Sequence, residues 1–237
     1  MSVEGFLMLR TALVAASVAL LIPTVSSAFE VQGGQLSFSS ADLEGYDPNL
    51  YELNGAIEFG NDGPFSLQLE LGRARYDGDE YYRNFSAHLV YDIDPTASVG
   101  LLYMRETWHG DDWDYFGIEG RKVFESNSMM PVEIEGLLMR GDDDGDTNDI
   151  FSLSAYVHVT DTIALGAAVA NSSGYNDQKS VGVAAKYMHP DGGYARLGID
   201  ELTGGSEYRA ITFELGYEFG GGTAFKSKSW NKLFPGH

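Results

Sequence analysis

Cysteine is absent from the 237-residue chain, which removes disulfide frameworks, thiolate metal sites and cysteine nucleophiles together. Basic residues are scarce: 15 Lys and Arg stand against 35 Asp and Glu, a formal net charge of −20. Nucleic acid needs a basic surface to replace its counterions, so it is excluded as a partner. Proline is sparse at 7 residues, whereas Gly (29), Tyr (14) and Phe (13) are abundant. In a chain 43 % hydrophobic, that balance opposes an acidic disordered protein and a soluble helical enzyme, and favours β-structure. Long apolar runs are missing as well. Beyond Phe29 nothing approaches the roughly 18 consecutive apolar residues of a membrane-spanning helix.

The one apolar run, Thr11 to Ile22, follows Arg10 and precedes Pro23 and Ser26-Ser27-Ala28. A basic start, a short apolar stretch and small residues before a cleavage point at Phe29 make residues 1–28 a secretory signal peptide. At roughly 12 residues the run is too short to cross a bilayer as a helix, which takes about 20. Because Glu4 and Arg10 cancel, cleavage leaves the strongly acidic balance unchanged.

What fills the remainder is alternation. Phe65, Leu67, Leu69 and Leu71 alternate with Ser66, Gln68 and Glu70; Phe151, Leu153, Ala155 and Val157 with Ser152, Ser154 and Tyr156. Ile211, Phe213, Leu215, Tyr217 and Phe219 alternate with Thr212, Glu214, Gly216 and Glu218. Successive side chains of a strand point to opposite faces, so period two is the strand period. The template predicts twelve strands, near 30–40, 49–60, 64–76, 80–92, 96–108, 112–125, 130–140, 149–160, 162–171, 179–188, 193–200 and 207–219. Short connections such as Gly60 to Pro64 and His189 to Gly193 carry turn residues. They alternate with longer, often acidic ones, such as Asp42 to Asn49, His109 to Asp114 and Gly141 to Asn148. An even number of antiparallel strands with short turns at one end and longer loops at the other describes a transmembrane up-and-down β-barrel over residues 29–219.

A soluble secreted β-protein is the competing architecture. It would carry long charged side chains on its wet face, whereas the polar face here is rich in Asn54, Ala56, Ser86, Gly166, Ala168, Ser180 and Gly182. Small residues suit the crowded interior of a narrow barrel. Aromatics such as Tyr51, Phe59, Phe65, Tyr81, Tyr91, Tyr103, Tyr217 and Phe219 gather near strand ends, where a membrane barrel places its interfacial girdles.

The last strand, Tyr208 to Phe219, resembles the closing signal of outer-membrane proteins, with alternating aromatics and Gly216 before the final Phe219. The tail from Gly220 through Trp230 to His237, the opening Ala28 to Gly34, and Tyr51 to Phe59 are similar to small porin-like proteins of alphaproteobacteria. That resemblance implies the outer membrane of a Gram-negative bacterium and passive transport. It also implies contact with outer-membrane lipid and lipopolysaccharide, and assembly by the barrel-assembly machinery through the last strand. Unlike a typical outer-membrane barrel, the chain continues beyond Phe219; residues 220–237 are expected as a periplasmic tail.

Reading parity strand by strand puts Glu52, Glu58, Glu70, Glu106, Glu119, Glu133, Glu135 and Glu214 inside, against Arg121, Lys186 and Arg196. Eight acids against three bases make an electronegative, cation-preferring lumen for small hydrophilic solutes. The alternative is a closed barrel with a structural or surface-interaction role, its charges paired across strands, for example Arg121 with Glu133 or Glu135. In Gly141 to Asp149, Asp142, Asp144, Asp146 and Asn148 have the alternate spacing of calcium ligands, but no acid follows at the twelfth position. Weakly bound divalent cations at such acidic loops are the one cofactor expectation. No enzyme is expected: His88 and His158 sit inside strands, and His109 among Asp111, Asp112 and Asp114 has nothing to orient it as a base.

Overall fold

The computed structural model describes residues 30–44, 49–76, 81–108, 110–126, 129–143, 146–174, 177–205 and 207–234. The segment expected as a leader, residues 1–28, lies outside them, as do His109 and Asp144. Twelve strands follow one another: β1 (Glu30–Leu43), β2 (Leu50–Gly60), β3 (Phe65–Tyr76), β4 (Tyr81–Asp94), β5 (Ala97–Trp108) and β6 (Asp111–Ser126). Then come β7 (Met129–Asp143), β8 (Asp146–His158), β9 (Ile163–Gly174), β10 (Gln178–Met188), β11 (Gly193–Gly204) and β12 (Tyr208–Phe219). Each pairs antiparallel with its sequence neighbours, and β1 pairs with β12 to close the barrel. The closing register runs from Gly34 opposite Phe219 to Leu43 opposite Ala210, so Phe219 is indeed the last residue of the wall.

Alternation sets the two faces. Leu36, Leu53, Leu71, Leu101, Ile118, Leu138, Leu153, Leu165, Val181, Leu197 and Leu215 all point outward and are exposed. An apolar skin around the whole circumference requires a hydrocarbon solvent, and a closed ladder is the sheet that hydrocarbon tolerates, because no backbone group is left at an edge. Aromatic pairs stabilise the ladder near its ends. Phe65 and Tyr91, opposite each other across β3 and β4, hold their rings 5.0 Å apart.

Strands are longer than the alternation alone indicates at the loop end. The acidic segments expected as loops are largely ladder: Asp111 to Asp114 pairs with Trp108 to Arg105, and Asp142 and Asp143 pair with Thr147 and Asp146. Hydrogen bonding continues where apolar alternation stops, since a ladder keeps its backbone bonds after its outer face has become polar.

Candidate functional site

The interior is the one place where this sequence concentrates buried charge. All eleven residues assigned to the inner face project inward: Glu52, Glu58, Glu70, Glu106, Glu119 and Glu135 are buried, as is Glu214, and Arg121, Glu133, Lys186 and Arg196 lie on the same inward parity, partly covered. Asn54, Gln68, Asn84, Ser86 and His88 fill the inner positions between them.

The final segment does not continue away from the barrel as a periplasmic tail. At Phe219 the chain enters Gly220, Gly221 and Gly222, whose φ angles of 62°, 98° and 83° are left-handed values that favour glycine. A Cβ on Gly220 would fall 2.3 Å from the Gln32 carbonyl oxygen. This turn sends residues 223–234 back into the lumen, ending in a single turn of helix α1 (Trp230–Leu233). Phe225, Ser229 and Phe234 are completely buried there.

The wall reads this segment by its backbone. Gln68 grips Phe225 twice, accepting from its N–H at 3.1 Å and donating to its carbonyl at 3.0 Å. Glu58 accepts from the N–H of Ala224 at 2.6 Å. Glu70 accepts from the N–H of Lys228 at 3.2 Å and from the Ser227 hydroxyl. The Asn84 amide donates to the Lys228 carbonyl at 3.0 Å, and the Ser229 hydroxyl donates to Glu52 at 2.9 Å.

Charge is matched at the same time. Lys228 pairs with Glu135, Lys226 with Glu133 at 3.0 Å, and Lys232 with Glu214 at 3.3 Å. Arg121 also reaches Glu133, at 3.4 Å, and not Glu135, which Lys228 has taken. Lys186 pairs with Glu218 at 2.9 Å. The tail thus adds three lysines to an interior with three basic wall residues, and the electronegative tally read from the wall alone is partly offset.

His88 is held between Glu119 at 2.5 Å and Glu70 at 3.9 Å, with the Ser86 hydroxyl 3.1 Å from its Nε2. A serine, an imidazole and a carboxylate in a row have the connectivity of a nucleophile relay. However, the Ser86 hydroxyl also donates to Glu70, Ser86 and His88 are both completely buried, and Phe225 stacks on the imidazole with centroids 6.1 Å apart. In this state no substrate reaches the hydroxyl, and the row serves to satisfy buried charge.

Two further zones flank the tail. Towards the loop end, Leu43, Leu50, Tyr82, Met104, Tyr115, Leu137, Met139, Ile150 and Leu202 form an inward apolar cluster around Phe234. Along the opposite half, a cavity of about 400 Å³ is lined by wall residues including Ser154, Tyr156, Lys186, Tyr194, Arg196 and Asp200 and by tail residues. Glycines make room for its aromatic lining: a Cβ on Gly166 would lie 2.6 Å from the Tyr156 ring, and one on Gly216 would lie 2.3 Å from the Tyr194 ring.

Of the spaced ligands, Asp142 and Asn148 lie on opposite faces of the wall, and the side chains of Asp144 and Asp146 lie outside the described residues. Asn148 is fully buried on the inner face, where it accepts from the Ser172 hydroxyl at 2.6 Å, whereas Asp142 is exposed on the outer face. A paired hairpin stands where a cation-wrapping loop was expected. Among the described residues, no group of three or more acids or histidines is placed to hold a metal ion.

No family model matches the chain, and no curated protein sequence does. Solved structures do. The KdgM porin superposes with a TM-score of 0.61 at 11 % identity, over 77 % of this chain and 98 % of that one. The NanC porin gives 0.59 at 9 %, over 77 % and 98 %. The outer-membrane protein Omp33 of Acinetobacter baumannii gives 0.53 at 12 %, over 81 % and 98 %. At such identities the likeness is one of fold: the chain has the architecture of the small outer-membrane β-barrels.

Proposed function

We propose that this protein is a porin-like channel of the Gram-negative outer membrane for passive diffusion of small hydrophilic solutes, caught here in a closed state. The observation that carries this reading is a closed barrel with an apolar exterior and a charged interior that retains a cavity of about 400 Å³ lined by both polar and apolar side chains. A purely structural barrel would be expected to fill that space with side chains. The fold shared with the KdgM and NanC porins and the resemblance of the chain ends to alphaproteobacterial porin-like proteins support the same reading.

Closure in this state comes from the apolar cluster around Phe234 at the loop end. In the proposed open state, the inward glutamates draw cations and repel anions within a low-dielectric wall. Outer-membrane lipid and lipopolysaccharide meet the apolar skin, β12 presents the closing sequence to the assembly machinery, and divalent cations act at the acidic loop end as screening counterions. No catalysis is assigned.

Swelling of proteoliposomes containing the full chain, in iso-osmotic solutions of neutral sugars of increasing size, tests the channel. Uptake integrates over minutes and so registers brief openings. Faster swelling than protein-free vesicles in the smallest sugar, declining with solute size, is expected. Equal rates at every size would leave a closed barrel with a surface role, the reading that burial of the tail favours.

A further inference from the structure

We propose that the acidic inner wall built by β2, β3, β4 and β7 is a peptide-binding site, and that residues 223–234 of the chain are its exchangeable occupant. Their departure opens the lumen; this gating role rests on the channel reading above, whereas the binding site does not.

Five main-chain atoms of the tail are recognised by side chains of the wall: the N–H groups of Ala224, Phe225 and Lys228 and the carbonyls of Phe225 and Lys228. The recognising residues Glu58, Gln68, Glu70 and Asn84 occupy inner positions of β2, β3 and β4, which adjacent registers bring side by side. Main-chain contacts of this kind bind an extended peptide, and pockets and charges then select its side chains. Here Glu133 and Glu135 on β7 select Lys226 and Lys228, Glu214 on β12 selects Lys232, and the apolar cluster at the loop end selects Phe234.

A permanent core would be built otherwise. A buried lysine–carboxylate pair such as Lys228–Glu135 contributes little net stability compared with apolar packing, which suits a docked segment more than a fixed filling. Among the described residues, Asn84 Oδ1 and the second oxygens of Glu119 and Glu135 find no protein partner while the tail is seated. Hydration of the vacated wall would relieve that cost. The wall closes through its own ladder, β1 on β12, without any bond from the tail. Gly220 to Gly222 supply a joint at the point where the segment departs.

The chain has no cysteine, so Ser229→Cys introduces a sole thiol at a fully buried tail position. The folded full-length variant, in detergent, is exposed to a large hydrophilic maleimide with and without a free peptide of residues 223–234. Slow labelling is expected, accelerated by the peptide about tenfold when it stands at ten times its dissociation constant for the vacated wall. A peptide with its three lysines replaced by glutamate is expected to leave the rate unchanged. Labelling as fast as in the denatured chain would show that the tail is not docked. No acceleration by the natural peptide, or equal acceleration by both peptides, would overturn the exchangeable site. If Ser229→Cys does not yield the heat-modifiable folded form, Ser227→Cys takes its place. Because no current is measured, a barrel that labels as expected and never conducts would refute the channel alone.

Discussion

Lys228→Ala isolates the most deeply buried ion pair between tail and wall. Lys228 is 6 % exposed and its partner Glu135 is 4 % exposed, so the variant strands a carboxylate in a place water reaches poorly while the tail is docked. Removing one member of a buried pair typically costs about 3–5 kcal/mol. When the tail leaves, Glu135 is rehydrated and the cost vanishes, so the penalty falls on the docked state. At about 1.4 kcal/mol per factor of ten, the undocked fraction should rise by roughly two to three and a half powers of ten. Trypsin reports that fraction, because cleavage of a transiently opened segment follows the equilibrium of opening. In the folded barrel Lys226 and Lys232 are held by Glu133 and Glu214 and should resist cleavage; in Lys228→Ala both bonds should be cut far faster, with the wall intact. Adding Glu135→Gln removes the stranded charge and should recover most of the protection. Equal resistance of the variant and the natural chain would refute the reasoning, as would a double variant no better protected than the single one.

Phe234 is completely buried in the loop-end cluster, and emptying such a site costs about 3–5 kcal/mol; Phe234→Ala should expose the tail to trypsin without altering the mobility of the unheated, folded barrel. Leu153 faces outward opposite Gly136, so Leu153→Arg should impair insertion by about 2–4 kcal/mol if it lies near the bilayer midplane. Normal yield of folded protein in vesicles would show that face to be misassigned. A valine at Gly216 would drive its Cβ into the Tyr194 ring; overpacking of about 1–3 kcal/mol should lower the unfolding temperature of the folded band, and an unchanged temperature would mean that the ring has room to move.

Most of the wall is legible in the sequence because its two solvents differ. Hydrocarbon outside and a polar lumen inside impose strict alternation, and parity alone therefore places Glu52, Glu70, Glu135 and Glu214 inside. Strand ends are less legible. At Asp111 to Asp114 and Gly141 to Asp143 the outer face turns polar, so the pattern fades although the ladder continues. The course of the tail has no periodic signal, but two traces of it were present. The inward tally of eight glutamates and three bases leaves acid uncompensated, and Lys226, Lys228 and Lys232 cluster just after three glycines. Moreover, Leu101 to Met104 is apolar on both faces. Leu102 and Met104 point inward because something apolar, Phe234 and its neighbours, meets them there.

Control of a current by the tail is the decisive property. In planar bilayers under a tenfold potassium chloride gradient, the full-length natural chain should give rare openings, and Lys228→Ala should stay open for a far larger fraction of the record. Both should reverse at a potential showing cation preference, strongest at low salt because at 0.15 M the Debye length is only about 8 Å. Silence from both chains, equal open fractions, or reversal on the anion side would contradict it.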